Sequence, residues 1–118
     1  MRRNLNCPFC SPAEGEKILR SELCYARWDE YPVTEGHLLI IPNRHFSDFF
    51  AATPNERTAL WAMVDEAKKL FDGRFKPDGY NVGAPAGQTI MHCHIHLIPR
   101  RSGDSVIRVL AVSVHDLS

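Results

Sequence analysis

The stretch "GQTIMHCHIHLIPRR", residues Gly87 to Arg101, carries histidines at 92, 94 and 96, one at every second position. Side chains on a β-strand alternate between the two faces of its sheet. His92, His94, His96 and Ile98 therefore share one side of an extended segment, while Cys93, Ile95 and Leu97 share the other. The apolar set is expected to pack beneath a helix. That leaves the imidazoles as a column on the open face, with roots roughly 6.5 to 7 Å apart. A column this polar contributes little to folding, so its use is chemical.

Two chemical uses compete once an ordinary solvated face is set aside as a poor account of such regular spacing. His-x-His from one strand is a good chelating pair for zinc, although no carboxylate stands close by in the stretch. Alternatively, one neutral imidazole attacks an electrophile while its neighbours orient it or hold developing charge, which suits a group partly neutral at physiological pH. The upstream flank favours the second use. In "YNVGAPAGQT" the glycines at 83 and 87 let backbone amides approach a ligand, and Asn81, Gln88 and Thr89 supply neutral hydrogen bonds. These glycines join two strands and do not open a helix, so the loop is neither a Walker nor a dinucleotide fingerprint.

The rest of the chain gives the column its frame. Its 118 residues suit one domain, 1–118, with an N-terminal segment over 1–22 and a tail over 104–118 whose place is open. Lys plus Arg equals Asp plus Glu at 14 each, so no broad positive field is available for nucleic acid. No apolar run approaches the roughly 20 residues that cross a bilayer, and a membrane partner is not expected. The opening "MRRNLNCPFC" shows no apolar signal core, so a cytoplasmic protein with reduced thiols is expected.

Local patterns predict a strand over Leu23–Trp28, a turn over Asp29–Gly36 and a buried strand "HLLIIP" stopped by Pro42. Thr53 and Glu56 form a capping box and Pro54 takes the first helical position. Apolar Leu60, Val64, Ala67 and Phe71 follow in a helix that ends near Gly73. A strand at "YNV" pairs with a long one from about Gln88 to Ile98, and Val106–Val114 reads as an edge strand. Strands on both sides of one good helix make an α+β domain with an antiparallel sheet. Cys7 and Cys10, in C-P-F-C, have the spacing of two thiolates on one tetrahedral metal, but two ligands do not complete a site.

"HCHIHLI" fits His-φ-His-φ-His-φ-φ, with Cys93 in one hydrophobic position. "TEGHLLIIPNRHFSDFFAATPNE" at 34–56 and "NVGAPAGQTIMH" at 81–92 extend the match. Over roughly residues 5–103 the chain resembles the histidine triad superfamily of nucleotidyl hydrolases and transferases. The resemblance implies a sheet of about five strands with one long and one short helix, and a homodimer. It implies that His94 attacks the α-phosphorus of a nucleotide derivative and that water hydrolyses the nucleotidyl-histidine. His96 and His37 would contact phosphate oxygens, and His92 would support the site or bind metal. Gly87, Gln88 and Thr89 would lie near the phosphate, Asn81 at the polar position of the preceding strand, and Asp29 on the ribose hydroxyls.

Members that transfer to uridylyl acceptors or to phosphate carry glutamine at the third position, so His96 implies water as acceptor. The implied substrates are dinucleoside polyphosphates or adenosine phosphoramidates, with AMP released and no catalytic cofactor. Bacterial relatives with an N-terminal C-x-x-C hold a structural zinc with two later histidines, and the matching set here is Cys7, Cys10, His45 and His92. Arg27 and Trp28 depart from the smaller or apolar residues expected around the base. Two alternatives remain open: a zinc-stapled nucleotide-binding module with little turnover, and a metal-dependent hydrolase that uses the triad as ligands.

Overall fold

One helix organises the domain, and its start is built from three residues. Thr53 Oγ1 accepts the Glu56 N–H at 3.1 Å and Glu56 Oε1 accepts the Thr53 N–H at 2.8 Å, closing the capping box ahead of Pro54. Arg44 then grips the same carboxylate through Nε at 3.0 Å and Nη2 at 2.8 Å. From this start α1 runs over Pro54–Arg74 and buries Leu60, Met63, Val64, Ala67 and Phe71 along one stripe. Gly73 lies inside the helix and the cap falls on Phe75, two residues past the expected end.

The computed structural model describes residues 7–85 and 90–102. Around α1 it forms an antiparallel sheet of β1 (Leu19–Arg20), β2 (Cys24–Trp28), β3 (Leu38–Pro42), β4 (Gly79–Gly83) and β5 (Ile95–Arg100), in the order β1-β2-β3-β5-β4. Five strands among the described residues match the expected number. Two-residue β1 carries no periodic signal and is not among the expected strands, while Val106–Val114 lies outside the described residues. The short helical element is realised as 3-10 turns at Glu14–Glu16 and Phe49–Ala51. At the latter, Asp48 caps Phe50 N–H at 2.8 Å, and the chain becomes extended before Pro54, as a pre-proline residue must.

The long strand is shifted from its expected span of Gln88–Ile98. Gln88 and Thr89 lie outside the described residues, and regular pairing begins only at Ile95. The reason is local: the His92 N–H bonds Ile90 O and the Cys93 N–H bonds Phe46 O, so the chain bends where a strand would have faced β3. At its other end β5 continues through Pro99 to Arg100. Beyond Leu97 it pairs with β4 alone, so Pro99 sits where one side needs no ladder donor.

Register assigns the two faces. Cys24, Ala26, Leu38, Ile40, Ile95 and Leu97 meet the helix in one cluster, and Trp28 stacks on Phe71 with centroids 5.5 Å apart. Ile95 and Leu97 therefore lie under the helix, as period two predicts, whereas Cys93 packs in a separate cluster with Phe46 and Ala52. On the opposite face Tyr25, Leu39 and Ile41 pack against Cys7, Phe9 and Cys10, so the N-terminal segment crosses the sheet. Tyr25 Oη fixes that crossing by donating to Phe9 O at 2.7 Å. The imidazoles are consequently buried, and none of His37, His92, His94 and His96 is more than 3 % exposed. No helix among the described residues is long and apolar enough to cross a membrane.

Gly36, immediately before His37, has φ +92°, and a Cβ there would stand 2.8 Å from the Phe75 ring and 2.9 Å from Pro99. Gly36→Ala combines a left-handed backbone with two clashes. We expect a loss of about 1–3 kcal/mol in urea unfolding. An unchanged midpoint would mean that the turn relaxes freely.

Candidate active site

Buried imidazoles must place both ring nitrogens, and their partners here define the tautomers. His94 Nδ1 lies 2.7 Å from His92 O, an acceptor only, so Nδ1 carries the proton and Nε2 the lone pair. The Val33 N–H donates to His37 Nδ1 at 3.1 Å, which puts the His37 proton on Nε2. That proton faces His96 Nδ1 at 2.7 Å and so leaves the His96 proton on its own Nε2. Adjacent residues of one segment thus present opposite faces: His94 a lone pair, His96 an N–H.

Electrostatics keep these rings neutral. Burial holds His37 down to about 4, helped by the positive Arg100 and by His94. Burial lowers His96 to about 3, with His94 and His37 pushing the same way. His94 is also lowered by burial, against the pull of its bond to the His92 backbone. Asp29 stands beside them, its Oδ2 3.2 Å from His37 Nε2 and 3.8 Å from His96 Nδ1, and burial raises its pKa. With the imidazole depressed, the Asp29–His37 contact sets the carboxyl beside a neutral ring whose single N–H is directed at His96. The other Asp29 oxygen accepts the Tyr31 N–H at 2.8 Å, so this residue closes its own turn as well as facing the site.

Beside the histidines lies a cavity of about 470 Å³ whose walls include Phe9, Arg27, Asp29, Leu39, His94 and His96. That volume falls within the range of small-ligand sites. The Phe9 ring stands edge-on to His94 with centroids 5.4 Å apart and to His92 at 6.0 Å. Phe9 was not singled out by the sequence, where only its neighbours in C-P-F-C have a spacing signal. Trp28, expected near the base, turns to the helix side, whereas Arg27 does line the cavity. Asn81 is buried on β4, and its Oδ1 has no hydrogen-bond partner among the described residues. Gly87, Gln88 and Thr89 lie outside the described residues.

A second constellation forms where the N-terminal segment meets the bend before β5. Cys7, Cys10, His45 and His92 bring their donor atoms within 4.8 Å of one another and can hold a metal ion. Cys7 Sγ and Cys10 Sγ lie 3.4 and 3.5 Å from His92 Nδ1, Cys10 Sγ lies 3.1 Å from His45 Nδ1, and the two Nδ1 atoms are 3.1 Å apart. A tetrahedral ion with bonds of about 2.0–2.3 Å separates its ligand atoms by roughly 3.3–3.8 Å, slightly wider than this spacing. His92 Nε2 lies 2.8 Å from Pro42 O, which fixes its proton there and turns the Nδ1 lone pair to the cluster.

Asp29, His37 and His96 also bring three donor atoms together. Their tautomers differ from those of the first cluster: the Val33 N–H occupies His37 Nδ1, so Nε2 carries a proton and offers no lone pair. The group is a proton-bearing hydrogen-bond chain, and the first cluster is the metal-competent one.

These features define a class, an α+β domain with a histidine-lined ligand cavity. Residues 12–103 match the family model of the HIT domain, and the chain belongs to that family. Cys7 and Cys10 precede the matched span. The chain is 33% identical over 103 residues to an AP-4-A phosphorylase of Mycobacterium tuberculosis, covering 83% of this chain and 53% of that protein. It is 32% identical over 97 residues to a bis(5'-nucleosyl)-tetraphosphatase [asymmetrical] of Schizosaccharomyces pombe, covering 79% and 53%. The chain thus spans about half the length of either relative. Among solved structures it is similar to a HIT family protein of Bacillus anthracis, with a TM-score of 0.76 at 34% identity, covering 84% of this chain and 76% of that one. A zinc-bound histidine triad family protein of Mycobacterium smegmatis gives 0.74 at 29%, covering 86% and 79%.

The buried rings make stability depend on pH. Between the ordinary imidazole value of about 6.5 and about 4, the unfolded chain binds protons at His37 and His96 that the folded chain refuses. Stability is therefore greatest above pH 6.5 and falls as pH drops through this window. Asp29, raised above its ordinary 3.8, acts oppositely but only near the lower limit. Urea midpoints should decline steadily from pH 7 to 4.5. A flat profile would show that the rings are solvated and take up their protons in the folded state.

Proposed function

We propose that this protein hydrolyses nucleotidyl derivatives through a covalent intermediate on His94. The observation that carries the reading is the tautomer pair. With Nδ1–H committed to His92 O, His94 offers a neutral Nε2 lone pair beside the cavity, while His96 offers an Nε2–H. In the first step Nε2 attacks the α-phosphorus, and the bond to the leaving oxygen or nitrogen breaks with its electron pair. The resulting nucleotidyl-imidazolium keeps its Nδ1 proton on His92 O. Water then attacks phosphorus and the P–N bond to His94 breaks, restoring the neutral ring and releasing a nucleoside monophosphate. Across both steps one water supplies a hydroxyl to phosphorus and a proton to the leaving group.

In this reading His96 donates to a phosphate oxygen, His37 acts behind it by fixing its tautomer, and His92 holds the nucleophile's tautomer. Asp29 accepts the ribose hydroxyls with the lone pairs left by Tyr31 N and His37. Asn81 and the loop residues Gly87, Gln88 and Thr89 keep the phosphate-side roles that their sequence positions imply. Dinucleoside polyphosphates and nucleotide phosphoramidates are the substrate classes, AMP being the product implied by the resemblance. The names of the two curated relatives divide between a phosphorylase and a phosphatase, and His96 favours water as acceptor here. A homodimer is expected on the same grounds.

Zinc is the metal we assign to Cys7, Cys10, His45 and His92, because two thiolates with two Nδ1 lone pairs at tetrahedral spacing suit it. When bound, it supplies structural closure of a four-ligand site and takes no part in bond breaking. The four residues anchor the segment that carries Phe9 against His94.

Incubation with diadenosine tetraphosphate or adenosine 5′-phosphoramidate should release AMP and show an acid-labile adduct of one AMP by intact mass. His94→Ala should abolish both, and turnover surviving in that variant would remove the nucleophile assignment. Binding without adduct or release would leave a nucleotide-binding module. As purified, the protein should contain about one zinc per chain by elemental analysis. Chelation should lower its melting midpoint, and an unmoved midpoint would argue against the structural role.

A further inference from the structure

At the end of the cavity away from the histidines stands a cation whose hydrogen-bonding capacity is mostly unspent. Arg27 lies on β2 opposite Leu39, and its side chain is 13 % exposed. Its Nη2 donates to Glu16 Oε2 at 2.8 Å, and it makes no other hydrogen bond among the described residues. The Phe9 ring holds the guanidinium from another side, 5.8 Å from centroid to Cζ. Glu16 is itself committed, since its second oxygen, Oε1, accepts the Ala13 N–H at 2.7 Å. The carboxylate thus anchors the arginine, and the arginine keeps a planar set of N–H groups at the cavity wall.

We propose that Arg27 determines base specificity and favours a 6-oxopurine, guanine or hypoxanthine, over adenine. The inference rests on the nucleotide hydrolase reading above. With phosphorus at His94 and the ribose at Asp29, the cavity continues to Arg27, and the base is the part of the nucleotide that meets it. A guanidinium presents parallel donors in a rigid fork. A 6-oxopurine answers with two adjacent acceptors, O6 and N7, whereas adenine opposes one donor with its own amino group. Each Glu16 oxygen already accepts one hydrogen bond, from Arg27 and from the Ala13 N–H, which turns the carboxylate toward those partners. An apolar side chain at 27 would stack on either purine without this choice, so the preference belongs to this chain's own residue.

The test compares guanosine, inosine and adenosine 5′-phosphoramidates by kcat/KM, with GMP, IMP and AMP binding measured by calorimetry. The wild type should favour guanosine over adenosine by on the order of tenfold, the size of one bidentate contact. Inosine, which shares O6 and N7 but lacks the 2-amino group, should follow guanosine; a guanosine-only preference would move recognition to the 2-amino group and overturn the fork. Arg27→Phe should bring the ratio to within about twofold. Glu16→Gln keeps the shape but loosens the anchor, and should lower the ratio partway. Because ratios within one variant are compared, partial unfolding does not imitate the result. Equal rates or an adenosine preference in the wild type, or a preference that persists in Arg27→Phe, would overturn the proposal. Absence of binding and turnover with all three nucleotides would instead remove the hydrolase reading beneath it.

Discussion

The structure turns on one requirement, that four imidazoles buried on a sheet face satisfy both ring nitrogens. Burial takes these rings out of bulk water, so backbone groups and neighbouring rings supply most of their partners. His92 O takes the His94 proton, the Val33 N–H fills His37 Nδ1, and Pro42 O takes the proton of His92. The His37 assignment in turn forces that of His96, and His94 keeps its Nε2 lone pair beside the cavity. Desolvation keeps the rings neutral, and a neutral ring keeps a lone pair on the nitrogen that bears no proton.

A sheet with two differently used faces follows from this. On the helix side the side chains of β2, β3 and β5 form an ordinary apolar core with Leu60, Met63, Ala67 and Phe71. On the other side the same strands carry Tyr25, Arg27, Leu39 and His96, with His94 just ahead of β5, covered by a segment with almost no regular structure of its own. That cover is held by donor atoms and by one tyrosine hydroxyl. A helix could not lie there without filling the cavity, whereas the extended Cys7–Cys10 turn covers one end and leaves the other open.

Much of this was legible in the sequence. Period two separated His94 and His96 from Ile95 and Leu97, and the capping box at Thr53 marked the helix to within a residue. What escaped has physical causes. His92 belongs to a bend because the Cys93 N–H pairs with Phe46 O, a contact set by a loop 47 residues away and invisible to periodicity. Strand β1 has two residues, too few for any pattern, and exists because β2 offers it an edge. Tautomers are a property of three-dimensional partners and have no sequence signal. Glu16 lies in a turn-forming stretch that marks no partner, and only the fold brings it to Arg27, 11 positions on.

The contact between Cys7 and His92 joins positions 85 apart, with nearly the whole described chain between them. Closing a loop costs entropy that grows only with the logarithm of its length, but the closure can be made only after both ends have somewhere to stand. His92 gains its place when β5 docks between β3 and β4, itself a pairing of distant segments. The N-terminal cover therefore belongs among the last parts of the molecule to assemble, after the sheet and helix that can form beneath it. During that interval the histidine face lies open, and the cavity beside His94 and His96 gains its Phe9 wall in the same closing event.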